Sequence, residues 1–193
     1  MDRTEETIRP AQPGAVPYSS GRLNLRDDLD DNLEAALIAL AQRRNGRRMI
    51  ERLLASGFVT VLVSTRLRPM QAGLWGPIFF HGRVVGATLS VDLEQIRRRD
   101  HDPTGIETLA HELRHQVDAA RAFRNKGDYP AVHRAALSGD LTGSAQQYAE
   151  RLCDQRPDLD PAAARAWLEP RLYRFDPTPS HVVASVPRTG SPD

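Results

Sequence analysis

Cysteine occurs once in the chain, at Cys153, and lysine once, at Lys126. A single thiol excludes an internal disulfide framework and a cysteine-built zinc site. No apolar run approaches the ~20 residues that a membrane-spanning helix needs. The opening residues Met1-Asp2-Arg3-Thr4-Glu5-Glu6 are charged and lack the apolar centre of a secretory signal. The expectation is a cytoplasmic protein that engages no membrane. Excess charge is missing too: 26 basic residues against 25 acidic ones leave a formal charge of +1, which gives no global field for nucleic acid. Arginine runs do occur, at Arg43, Arg44, Arg47 and Arg48 and again from Arg97 to Arg99. Aromatics make up only 6% of the chain and do not interleave with these runs, so no base-stacking platform is indicated.

What is present is enough apolar material, 40% of 193 residues, for one domain with tails. Residues 1–24 hold Pro10, Pro13, Gly14 and Pro17, and residues 176–193 hold Pro177, Pro179, Pro187 and Pro192. Both read as flexible segments, too poor in apolar side chains to offset the entropy lost on ordering. The expected domain spans 25–175.

Helical periodicity comes first within it. Leu29, Leu33, Leu37 and Leu40 recur at helical spacing between Asp28 and Arg44, with acids leading and arginines trailing, as the helix dipole favours. Gly46 reads as an interruption before a second helix that buries Met49, Ile50, Leu53 and Leu54 and stops at Gly57. The pattern then changes. Phe58 to Thr65 is dense in β-branched residues and predicts a strand; Trp75 to Phe80 and Arg83 to Leu93 predict two more around a tight His81-Gly82 turn. Together these features predict an α+β fold with N-terminal helices, a small and mostly antiparallel sheet, and further helices after it.

Next comes Thr108-Leu109-Ala110-His111-Glu112-Leu113-Arg114-His115-Gln116. Thr104 and Glu107 have capping-box spacing, and Leu109, Leu113, Val117 and Ala120 form an apolar stripe. A helix is therefore expected from near Gly105 to about Arg124, closed by Gly127 and Pro130. Residues four apart share a helix face, so His111 and His115 can converge on one metal ion with Glu112 at the rim as a general base. Two histidines leave a catalytic zinc one protein ligand short. A longer pattern with a third histidine fails, because Asp118 and Arg121 occupy the positions that need glycine and histidine. Ser144 and Gln147 suggest a second capping box, opening a helix with Glu150 and Asp154 on one face. Glu150 is the candidate third ligand, and Asp154 the candidate acid hydrogen-bonded to a ligand imidazole.

The segments His111-Glu112-Leu113-Arg114-His115 and Glu150-Arg151-Leu152-Cys153-Asp154, preceded by a strand ending in Thr88-Leu89-Ser90-Val91, resemble the gluzincins, the thermolysin-like clan of zinc metallopeptidases. The likeness covers roughly residues 58–155. It implies Zn2+ on His111, His115 and Glu150, Glu112 activating a zinc-bound water, and Asp154 behind an imidazole. It also implies an extended peptide or protein substrate along an edge strand, placed at Thr88, Leu89 and Ser90. No position matches the family's transition-state donor; Tyr129, His133, Tyr148 and Tyr173 have suitable chemistry. The expected function is zinc-dependent hydrolysis of peptide bonds. The alternative is a catalytically idle module of the same fold that binds a partner protein through its arginine-rich helices. Glu112 weighs against it, since a structural zinc site has no use for a base.

Overall fold

The computed structural model describes residues 18–26, 31–65, 67, 73–92 and 104–175. The arm up to residue 17, the tail from residue 176, Asp28, Leu29, Leu93 and the run Arg97 to Arg99 lie outside the described residues. Among the described ones the chain is α+β, with six α-helices and a five-stranded mixed sheet.

Strand β1 (Leu23–Arg26) leads into α1 (Asp31–Ala41) and α2 (Arg44–Leu54). Leu33, Leu37 and Leu40 of α1 are buried, as their spacing predicts, and share one core with Met49, Ile50 and Leu53 of α2. Gly46 is no interruption. It lies buried inside α2, where an added Cβ would stand 2.1 Å from the Leu40 carbonyl oxygen and 2.9 Å from its carbon. The glycine lets α2 approach the last turn of α1 backbone to side. Gly46→Ala is expected to destabilise the protein by about 2 kcal/mol through overpacking against a carbonyl that cannot rotate away. Thermal unfolding followed by circular dichroism should show a midpoint lowered by roughly 4–8 °C.

Strands β2 (Val59–Ser64), β3 (Gly73–Phe80), β4 (Arg83–Val91) and β5 (Leu172–Phe175) complete the sheet, in the order β3-β4-β2-β1-β5. His81 and Gly82, with φ of 48° and 74°, make the expected two-residue turn, and β3 and β4 pair antiparallel across it. The other three pairings, β1 with β2, β1 with β5 and β2 with β4, are parallel. The expectation of a mostly antiparallel sheet is thus corrected. Only a tight turn obliges chain neighbours to pair antiparallel, whereas the α1–α2 crossover returns β2 parallel to β1. β1 begins at Leu23, inside the stretch assigned to the flexible arm, and buries Leu23 and Leu25.

Four more helices follow the sheet's antiparallel edge: α3 (Ile106–Arg124), α4 (Tyr129–Leu141), α5 (Ser144–Cys153) and α6 (Pro161–Leu168). Asp128 and Asp160 cap α4 and α6, accepting from the Ala131 and Ala163 N–H groups at 2.9 and 2.8 Å. Arg47 to Asp158 at 2.7 Å, and Glu34 to Arg165 and Arg174 at 2.8 and 3.1 Å, tie α1 and α2 to the C-terminal elements. Among the described residues no helix is long and apolar enough to cross a membrane.

Candidate metal centre

Helix α3 begins where the spacing places it, by a different device. Gly105, at φ 71°, is the N-cap, so the helix start carries no capping side chain of its own. The Thr104 hydroxyl stands 3.5 Å from the Ile106 nitrogen, and the Glu107 carboxylate accepts from Gln146 at 2.7 Å instead of closing a capping box. Likewise α5 starts on Gly143 at φ 68°, and the Ser144 hydroxyl accepts from Thr142. Leu109, Leu113 and Ala120 of α3 lie in the core. That fixes the helix rotation and turns His111, Glu112 and His115 along one flank.

Helix α4 meets that flank closely. At Gly139 an added Cβ would lie 3.3 Å from both Cε1 and Nδ1 of His115 and 2.9 Å from the Ala145 Cβ. The missing side chain brings the backbone of α4 against the imidazole and the next residue, Asp140, to the metal-facing nitrogens. His111 Nε2 lies 3.0 Å from Asp140 Oδ1, His115 Nε2 3.3 Å from the same oxygen, and the two Nε2 atoms 3.1 Å apart. Ligand atoms held 2.0–2.1 Å from a tetrahedral zinc stand about 3.3 Å from one another. The triangle therefore fits one face of a zinc tetrahedron, and two imidazoles with one carboxylate are a donor set zinc accepts.

Burial pushes the His115 imidazole below its ordinary value; Asp140 pulls it up and His111 further down. A neutral imidazole is the form that binds metal. The Nδ1 atoms of His111 and His115 are buried without a hydrogen-bond partner among the described residues. For His115 the Ala136 carbonyl favours the protonated ring without reaching good hydrogen-bond geometry. Burial raises the Glu112 carboxyl from 4.5 to about 7, opposed by His111 and reinforced by the Asp140 charge. Part of its cover is Gly73, the first residue of β3, whose added Cβ would lie 2.2–2.5 Å from the Glu112 carboxylate atoms.

The structure thus brings together His111, Glu112 and His115, and it brings Asp140 rather than Glu150 to the imidazoles. Glu150 is exposed on α5 and accepts from Gln146 at 3.0 Å. Asp154 is exposed at the end of α5, where its N–H donates to the Glu150 carbonyl, and it meets neither imidazole. The placement of substrate at Thr88, Leu89 and Ser90 is corrected as well. These residues sit inside the sheet, paired with Val61, Leu62 and Val63 on one side and Gly76, Trp75 and Leu74 on the other. Both edges of β4 are occupied, and among the described residues the edge strands are β3 and β5, of which β3 is the one beside β4. Asp118 is engaged by Arg114 at 2.9 and 3.0 Å. Of the candidate donors, Tyr148 reaches the Asn45 carbonyl at 3.4 Å, and Tyr173 lies on β5, at the far edge of the sheet from β3. Tyr129 and His133 stack on each other, with Phe79 and Trp75 of β3 against them.

Asp140 is not legible in the sequence, because it lies on another helix 25 residues past His115 and no local spacing links the two. A glycine beside an acid is a common loop pair, and nothing local marks it as a helix crossing. No family model, curated protein or solved structure matches the chain. Its function is therefore argued from the site alone.

Proposed function

We propose that the protein is a zinc-dependent metallopeptidase with His111, His115 and Asp140 as metal ligands and Glu112 as general base, the aspartate standing where the gluzincin resemblance would put a glutamate. The supporting observation is the triangle of 3.0, 3.1 and 3.3 Å edges with a buried carboxyl beside it. Zinc bound there supplies Lewis acidity, which polarises a carbonyl and lowers the pKa of coordinated water towards roughly 7. Glu112, buried beside this triangle, would take a proton from the attacking water and return it to the leaving amine. Asp140 would supply the third ligand oxygen, its Oδ1 standing 3.0 and 3.3 Å from the two Nε2 atoms. The expected substrate is a peptide or protein segment in extended form.

The alternative, an idle module docking through arginine-rich helices, is weakened by where two of those arginines are spent. Arg43 donates to the Ala39 carbonyl at 2.7 Å, and Arg47 to the Ala41 carbonyl at 2.8 Å and to Asp158. Purified protein is expected to carry about one zinc per chain and to cleave an unstructured protein such as casein. Dialysis against a chelator should stop the cleavage and added zinc restore it. Cleavage that survives metal removal, or zinc-loaded protein that leaves casein and a peptide library intact, contradicts the reading.

A further inference from the structure

We infer that Gly73 is a positioning residue for Glu112, an inference that takes its functional meaning from the hydrolase reading above. Glycine inside a strand weakens it, because it costs more entropy to order and brings no side chain to pack. β3 nevertheless holds Gly73 and Gly76. At Gly76 an added Cβ would meet nothing within 4 Å. At Gly73 it would stand 2.2 Å from Glu112 Cδ and 2.3 and 2.5 Å from the two carboxylate oxygens. These atoms are the far end of a flexible side chain, so the fold can absorb a methyl group at position 73 by moving Glu112 alone.

The Gly73 backbone is thus the surface against which the carboxylate rests. Only a residue without a Cβ leaves the Glu112 carboxylate room to lie where it does. A base acts only within hydrogen-bond reach of its proton, and a misplacement of about 1 Å can cost on the order of a hundredfold in rate. A position whose added Cβ would have that carboxylate as its three nearest atoms is therefore coupled first to the placing of the base.

The experiment compares Gly73→Ala with Gly76→Ala in the zinc-loaded full chain, reading zinc content, casein cleavage and the crystal structure of the first variant. Gly73→Ala is expected to keep about one zinc per chain, to show the Glu112 carboxylate displaced, and to lose cleavage at least about tenfold. Gly76→Ala should behave as the parent in every readout. Should Gly73→Ala not fold, adding Glu112→Ala is expected to restore folding by removing the obstructing carboxylate. The inference is overturned if Gly73→Ala leaves the carboxylate in place, if it loses zinc, if Gly76→Ala shows the same loss of cleavage, or if the double variant also fails to fold. If the parent cleaves nothing, the hydrolase reading fails separately, and the position of Glu112 in the variant crystal structure still decides the positioning.

Discussion

Asp140→Ala is expected to lower zinc affinity by at least about a hundredfold, close to 3 kcal/mol of binding free energy, while Glu150→Ala binds zinc as the parent does. The contrast follows from what each carboxylate touches. Asp140 Oδ1 lies 3.0 and 3.3 Å from the two Nε2 atoms, and removing it leaves two imidazoles, one ligand short of the three that catalytic zinc sites use. Glu150 is held by Gln146, which also donates to Glu107, so its truncation disturbs a surface bond and no ligand. Elemental analysis gives the stoichiometry, competition with a chromophoric chelator the affinity, and the zinc-dependent rise of the melting temperature an independent check. Both variants should remain folded, since Asp140 is 55% exposed and Glu150 is on the surface. Loss of zinc in Glu150→Ala with retention in Asp140→Ala would restore the ligand assignment suggested by the spacing of residues 150 and 154 and remove the present one.

The elements were legible wherever one local signal decided them. Four leucines at helical spacing located α1, the β-branched run from Phe58 located β2, and His81-Gly82 located the β3–β4 hairpin. What stayed hidden was non-local. Gly46 reads as a break, yet it is a close packing point, and the helix expected to start near Gly105 does so on that glycine as a left-handed N-cap and not on the Thr104–Glu107 box. A glycine's role depends on what approaches it, and the sequence does not carry that. Parallel pairing of β1 with β2 and β5 joins residues far apart in the chain, for which periodicity offers no signal. The same division runs through the site. His111, Glu112 and His115 lie on one helix, so spacing alone places them on a common flank. Asp140 comes from a different helix and reaches them only because Gly139 admits close contact.

Glu112→Gln is expected to keep zinc and to lose casein cleavage by at least about a thousandfold, within the range that positioned proton transfer contributes. The amide is isosteric with the carboxyl, so the fold and the His111, His115 and Asp140 triangle persist, but it cannot take up a proton. Unchanged cleavage would remove Glu112 from the mechanism. A second consequence concerns the metal-free protein and needs no substrate. Burial holds the folded-state value of Glu112 at about 7, above its ordinary 4.5, so the folded chain binds a proton there more tightly than the unfolded chain does. The associated stability is fully present below pH 4.5 and is lost as pH rises through about 7. Glu112→Gln removes that titration. At pH 8 the metal-free variant should therefore exceed the metal-free parent in stability by on the order of 2 kcal/mol. Each pH unit separating the folded and unfolded values corresponds to ~1.4 kcal/mol, and His111 and Asp140 share part of the total. Urea unfolding at pH 4 and pH 8 measures it. The difference between variant and parent should grow towards pH 8, and zinc should shrink it by drawing the buried carboxyl back towards its charged form. A difference that is the same at both pH values would mean that Glu112 does not titrate from the buried position beside Gly73.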